Sequence, residues 1–399
     1  MYLTREEERI YNGEYGEALQ KAIRVIVKVG EALGASRLIR IRHAHVSGIS
    51  YNNIGDAGLG FIEDLYRSGA RFKVETTINP VGTDMDNPYI VPGVTPEFVS
   101  KQAKIIKYLS AMGAKPVMTC TPYYVDTIKP GWHLAWGESS AVAYANSVIG
   151  AWTNREGGPL ALLAGILGKT YYAGVHLPEN RLPRTRIVVE KYVEDQAYAG
   201  IIGKLVAEKT RRKPPLVQGL SGIREEELKT MCAAAGAAGN LELCVIPGLT
   251  RVPVEGLEPE EEIVLETWEI EEELDKQKPD KPVDLVFLGC PHSSINELTT
   301  LLYYFKKTGG KARIPFWVAL SRKVYSEAVE RGIAQALADR NVKLLRDTCI
   351  VVSPGWRETG YSVATNSFKT AFYLRRIHGI DAYVSPLKDL VRMAVEGKP

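Results

Sequence analysis

Cysteine is scarce in this chain: there are five in 399 residues, at positions 120, 232, 244, 290 and 349, and no two are spaced as Cys-x-x-Cys. An odd number cannot all pair, and the wide spacing excludes the disulfide framework of a small secreted domain. It also argues against a compact zinc-nucleated module, which gathers its ligands from close cysteine pairs. Long apolar runs are lacking as well. None reaches the roughly 18 residues a bilayer span requires, and the longest, near Pro159 to Gly168, is interrupted by glycine. An excess of one charge is missing too, because the net charge is +3. Nothing therefore points to a polyanion-binding surface such as a nucleic-acid groove, although a small anionic substrate needs only local charge. The opening Met1-Tyr2-Leu3-Thr4-Arg5-Glu6-Glu7 places Thr4 and Glu7 as a capping box. It reads as a helix start and not as a signal peptide, and the expected location is the cytoplasm.

What is present is globular. An apolar share of 45% over 399 residues can bury a large core, in two or three domains or one elaborated α/β unit. Apolar positions Leu19, Ala22, Ile23, Ile26, Val29 and Leu33 mark an amphipathic helix. An alternating strand Ile39-Arg40-Ile41-Arg42 leads into the polar passage His43 to Gly55, and Asp56 is a good cap for a helix from Ala57 to Ser68. A strand Phe72 to Ile78 runs into the loop Asn79 to Pro88. Thr95 and Pro96 open a helix to about Met112, and a strand is expected to end at Cys120. A small-residue helix runs from Ser139 through Asn146 and Ser147 to Trp152, and another from about Asp195 to Lys209. The basic break Arg211-Arg212-Lys213-Pro214-Pro215 follows. Cys232 sits in a helix near Glu225 to Ala238 and Cys244 in an apolar strand Leu241 to Ile246; both fit as core. The Glu-, Lys- and Pro-rich stretch Val252 to Asp284 suits a solvated excursion. After it, strands and helices alternate: Val283 to Leu288, Ile314 to Leu320 with a helix capped by Ser321, a strand near Val342, then Ile350 to Val352, and a final strand and helix. The fold class is α/β, with mostly parallel sheets flanked by helices. The expected divisions are 1–210 and 283–399, joined by a less regular 211–282.

Three cysteines stand in comparable places. Cys290 closes the buried run Val283 to Gly289 just before Pro291, His292 and a helix start at Ser293 or Ser294. Cys120 closes Lys115-Pro116-Val117-Met118-Thr119, and Cys349 precedes Ile350. Open α/β sheets bind ligands at the carboxyl ends of their strands, so the three thiols are expected to converge on one iron-sulfur cluster. Ligands so dispersed need a pre-folded scaffold. Three thiols leave one iron of a cubane open, yet the count also permits a three-iron or two-iron form with another ligand.

Several passages carry a resemblance: Ser47-Gly48-Ile49-Ser50-Tyr51-Asn52-Asn53-Ile54-Gly55-Asp56, Thr77-Ile78-Asn79-Pro80, Thr119-Cys120-Thr121-Pro122-Tyr123-Tyr124, Gly137-Glu138-Ser139-Ser140, Gly289-Cys290-Pro291-His292 and Asn366-Ser367-Phe368-Lys369. Together they resemble the aconitase X family from Met1 almost to the C-terminus. The resemblance implies an aconitase-like core and a [4Fe-4S] cluster on Cys120, Cys290 and Cys349. It also implies a small partner subunit carrying the swivelling domain, since no such domain follows Lys398 and Pro399. By the same analogy the proton-abstracting base lies on that partner.

The activity implied is that of a hydro-lyase dehydrating (R)-5-phosphomevalonate to trans-anhydromevalonate 5-phosphate, on the mevalonate route to isoprenoids. Dehydration of cis-3-hydroxy-L-proline is the alternative within the family, and a non-catalytic iron-sulfur sensor the alternative outside it. Substrate contacts are expected from Gly48, Ile49, Ser50, Asn79, Pro80, Glu138, Ser139, Phe368 and Lys369, with Glu138 and Ser139 as the catalytic candidates. Glu138 would serve as an acid, or orient water, if its pKa were raised. Phe368 and Lys369 lie near a helix start, where amides and an ammonium suit a phosphate or carboxylate; Arg357 and Lys323 are further candidates to meet a phosphate. His292 is expected to donate to cluster sulfur or substrate, or to be a satisfied neighbour.

Overall fold

A computed structural model describes residues 1–398 apart from 211–212, 221 and 251–258; Arg211, Arg212 and the first part of the Val252–Asp284 stretch thus lie outside the described residues. The strand Leu285–Leu288 is buried along its whole length. Its alternate side chains feed two cores. Val286 and Leu288 pack with Leu298, Leu301, Leu390 and Val391 of the helices Ile295–Thr308 and Leu387–Glu396. Leu285 and Phe287 pack on the other face with Ala197, Ile201 and Val206 of the helix Gln196–Thr210. Strands covered on both faces read as continuous apolar runs, and this one is the centre of a five-stranded, fully parallel sheet. The sheet order is Val342–Arg346, Phe316–Leu320, Leu285–Leu288, Val363–Thr365, Ala382–Val384.

Two smaller parallel sheets complete the frame. One sets His43–Val46 between Glu75–Ile78 and Leu134–Trp136; the other sets Thr185–Val189 between Pro215–Gln218 and Glu261–Leu265. A short antiparallel pair, Leu38–Arg40 with Lys169–Tyr171, stands apart. The expected α/β class with mostly parallel sheets is what the chain adopts. Among the described residues no helix is long and apolar enough to cross a membrane.

Several local expectations are corrected. The central strand of the first sheet is His43–Val46, not Ile39 to Arg42, and all four of its residues are buried. The helix begins at Tyr51, not Ala57, and is interrupted at Gly55 (φ 56°, ψ −162°), just ahead of the Asp56 read as its cap. Lys115 to Cys120 forms no strand beyond a bridge from Lys115 to Thr77, because Pro116 lacks an N–H and Met118 has φ 45°. Ile350–Val352 is a 3-10 turn. Leu241 to Ile246 contributes only a bridge from Val245 to Leu216. Gly158–Leu167, the apolar run of the sequence, is a helix. The acidic stretch contains the strand Glu261–Leu265 and the helix Thr267–Asp275, which bury Leu265, Ile270 and Leu274.

Candidate active site

Six parallel strands of two sheets end toward one place. After His43–Val46 come Ser47 and Gly48; after Glu75–Ile78, Asn79 and Pro80; after Leu134–Trp136, Gly137 and Glu138. From the five-stranded sheet come Gly289 and Cys290, Thr348 and Cys349, and Ser367 to Lys369. Hydrogen bonds stitch the two sets together: the Cys349 N–H donates to the Val81 carbonyl at 3.0 Å, and the Ser50 hydroxyl to the Val352 carbonyl at 2.8 Å. Between them lies a cavity of about 240 Å³ whose walls include Gly48, Pro80, Cys120, Glu138, Ser139, Cys290, His292, Cys349 and Lys369. Ligands of open α/β sheets bind at such carboxyl ends.

Gly289 shapes the turn that delivers Cys290. Its φ is 99°, and a side chain there would meet the Ala319 carbonyl. The Ser367 hydroxyl donates to the Cys290 carbonyl and accepts the Thr370 N–H, so one residue caps the helix Phe368–Tyr373 and holds the cysteine loop. Behind that loop is Lys229, whose side chain is wholly buried. Its ammonium pairs with Glu297 and donates to the His292 carbonyl at 2.9 Å. Glu297 in turn accepts the Ser294 N–H at 2.6 Å, in the capping box that starts the helix.

The three thiols share the cavity wall, and all are free. Burial pushes Cys349 up to about 12 and Cys120 well above the usual thiol range, with Cys290 and Glu138 adding to both. Neutral thiols in apolar surroundings deprotonate when they bind a metal, which is how burial and ligation are reconciled. Among the described residues no three His, Cys, Asp or Glu side chains are gathered for a single metal ion.

Glu138 and Lys369 form a buried ion pair, and the Lys369 ammonium also donates to the Ser140 hydroxyl at 3.2 Å, which donates to Glu138 at 3.2 Å. Burial alone would raise the Glu138 carboxyl; the Lys369 charge and hydrogen bond overcome it and hold the group at about 2. Glu138 is a carboxylate here, not the raised acid the sequence left open. His292 is satisfied on every side. Its Nε2 bonds the Thr348 carbonyl (2.9 Å) and must carry the proton, so Nδ1 accepts from the Thr119 hydroxyl (3.0 Å), while its backbone N–H donates to the Cys120 sulfur at 3.2 Å. Burial lowers its pKa to about 4, so the ring is neutral.

Other candidates fall outside the wall. Ile49 lines an adjoining apolar groove, and Ser50 is spent on Val352. Asn79 is buried beside Pro80 with both amide atoms lacking partners. Phe368 belongs to the core and packs against Phe372. Arg357 donates to the carbonyls of Ile377 and His378, and Lys323 to that of Tyr124; neither lines the cavity. Residues that sequence reasoning passed over include Arg155 and Tyr373 on the wall, and His45 nearby. His45 holds the Thr77 hydroxyl at 2.7 Å, and burial lowers it to about 3. The Gly-Gly-Pro after Arg155 marks a helix start, the one local signal that could have drawn attention to it.

Three thiols and a buried lysine–carboxylate pair at the meeting of parallel strand ends define the class: this chain belongs to the aconitase X family. Models of that family's first, second and third domains match residues 1–179, 183–275 and 283–396. Within the family it is similar to the phosphomevalonate dehydratase large subunit of Aeropyrum pernix, 46% identical over 98% of this chain and 100% of that one. The corresponding large subunit of Thermococcus kodakarensis is 38% identical over 99% and 100%. A cis-3-hydroxy-L-proline dehydratase of Pseudomonas aeruginosa is 30% identical over 98% of this chain and 70% of its own. The crystal structure of Thermococcus kodakaraensis aconitase X in its holo-form matches with a TM-score of 0.90 at 38% identity, covering 99% of this chain and 100% of that one.

Proposed function

We propose that this chain is the catalytic large subunit of a cytoplasmic hydro-lyase that dehydrates (R)-5-phosphomevalonate to trans-anhydromevalonate 5-phosphate. It works with a [4Fe-4S] cluster on Cys120, Cys290 and Cys349 and with a small subunit carrying the swivelling domain. The observation that carries the reading is the gathering of three thiols beside the Glu138–Lys369 pair on one cavity wall. Three free thiols on one wall, those of Cys120 and Cys290 buried and that of Cys349 partly so, suit a soft metal centre such as an iron-sulfur cluster. Identity of 46% to a phosphomevalonate dehydratase large subunit, against 30% to a hydroxyproline dehydratase, supports the choice of substrate. Five free cysteines suit the reducing cytoplasm.

When bound, a cluster with three protein ligands supplies an open iron, a Lewis acid for the departing hydroxyl. The chain's own residues do the rest. Lys369 and the backbone N–H of Gly48 hold the substrate carboxylate, where charge accumulates as the neighbouring proton leaves, and Pro80 walls that side of the cavity. Glu138, anionic and fixed by Lys369 and Ser140, accepts a hydrogen bond from the hydroxyl and orients it, with Ser139 beside it at the helix start. Ile49, Ser50, Asn79 and Phe368 support this wall from behind. Neither histidine at the site is the base, since His292 is fully engaged and His45, at about 3, is too weakly basic. The proton is taken by a group on the small subunit.

The test is anaerobic reconstitution with the small subunit, iron and sulfide analysis, and turnover of both substrates. Dehydration of phosphomevalonate is expected. Turnover of hydroxyproline alone would overturn the substrate, and a full cluster without either activity would favour the sensor reading.

A further inference from the structure

The cavity wall carries two cations, and among the described residues only one has a carboxylate partner in the protein. Lys369 is paired with Glu138 deep in the site. Arg155 lines the same cavity from an exposed position and also lines the adjoining apolar groove with Gly48, Ile49 and Phe61, so it stands at the mouth where the two meet. Its Nη1 donates to the Asn240 side chain and to the Gly236 carbonyl at 3.4 Å. Those bonds tie the guanidinium to the end of the helix Glu225–Ala238 and fix its place. Among the described residues Nε and Nη2 have no protein partner, and no carboxylate lies within ion-pair distance. Glu242, the nearest acid in the chain's hydrogen bonding, accepts the Arg155 backbone N–H at 2.7 Å instead.

We infer that Arg155 is a specificity-determining residue that receives the phosphate end of the substrate at the cavity mouth. The inference rests on the phosphorylated-substrate reading above and adds the group that recognises the phosphate. A substrate with an anion at each end needs two cationic contacts. The carboxylate next to the reacting carbon must lie deep, beside the thiols and Lys369, which leaves the far end at the mouth. Two free N–H-bearing nitrogens on one planar guanidinium match the geometry of a phosphate better than an ammonium would. A zwitterionic hydroxy-amino acid has no second anion to place there.

The experiment compares Arg155→Gln and Arg155→Lys with wild type as reconstituted two-subunit holoenzyme, matched for iron content. Steady-state kinetics with phosphomevalonate and competition by inorganic phosphate are the readouts. Losing a charge-assisted contact made equally in ground and transition states should raise KM about tenfold or more in R155Q, with a much smaller fall in kcat. Inhibition by inorganic phosphate should weaken by a similar factor, and R155K should fall between. Wild-type values of KM and phosphate inhibition in R155Q would overturn the inference. So would a collapse of kcat with KM held, which would move Arg155 to the reacting carboxylate. If wild type does not dehydrate phosphomevalonate, the functional reading itself fails; calorimetric titration of wild type and R155Q with inorganic phosphate then judges Arg155 separately, equal affinities ruling it out and weaker binding to the variant supporting it.

Discussion

The backbone N–H of His292 donates to the sulfur of Cys120 at 3.2 Å, joining two loops 172 residues apart. The ring of the same histidine, held by Thr119 and Thr348, fixes both loops to the one that carries Cys349. Replacing Cys120, Cys290 or Cys349 by serine should therefore strip iron and dehydratase activity together, measured by metal and sulfide analysis of the anaerobically purified protein. A variant that stays fully loaded and active would remove that cysteine from the ligand set.

Lys229 supports the Cys290 loop from behind, and among the described residues its ion-pair partner is Glu297. Lys229→Met should lower stability by about 1.5–3 kcal/mol, because it removes the charge-assisted bonds to Glu297 and to the His292 carbonyl, while Gln196 and the Ser294 N–H still hold the partly buried carboxylate. Thermal unfolding checks it. Adding Glu297→Gln should recover part of the loss, since the stranded charge is removed.

Glu138→Gln keeps the shape of the cavity and removes the anion that Lys369 faces. Activity should fall by about 10²–10³ in kcat, the range for loss of one positioned electrostatic contact to the reacting group. Iron content should be retained. A variant with wild-type kcat would take Glu138 out of the chemistry.

Glu156 supplies the pH dependence. Burial raises its carboxyl from 4.5 to about 7 despite the hydroxyls of Tyr171 and Thr170, which donate to it at 2.8 and 3.2 Å. The folded pKa lies above the unfolded one, so this group's stabilising contribution is complete below pH 4.5 and is lost as pH rises toward and through 7. The shift corresponds to about 3 kcal/mol. Glu156→Gln should remove that dependence, so that its melting temperature exceeds wild type's at pH 8 by more than it does at pH 5. Parallel pH profiles of the two proteins would contradict this.

Much of the frame could be read directly, and the failures have local causes. The run ending at Leu288, the Ser294, Ser321 and Thr95 caps, and the helix over Glu225–Ala238 were all legible, because their signals are short-range. His43–Val46 was not, because its two histidines suggest a loop. Their polar contacts come from far along the chain: Asp126, 83 residues away, and the Trp136 indole hold His43, and Thr77, 32 residues away, holds one nitrogen of His45. The strand Glu261–Leu265 hid behind its glutamates, which face solvent while Leu265 turns inward. At the site, the shared wall of the three thiols was anticipated. Arg155 was not, since nothing in the residues beside it shows that a helix end 81 residues later would anchor its guanidinium.

The cavity draws its walls from residue 47 through residue 373. During synthesis, therefore, no emerging portion of the polypeptide can build the pocket early; the N-terminal sheet must wait on the ribosome's exit side until the last sheet has been made. A cluster on Cys120, Cys290 and Cys349, as proposed, would accordingly be loaded only on a chain made through the last wall, and a shorter product would keep thiols without the pocket that gathers them.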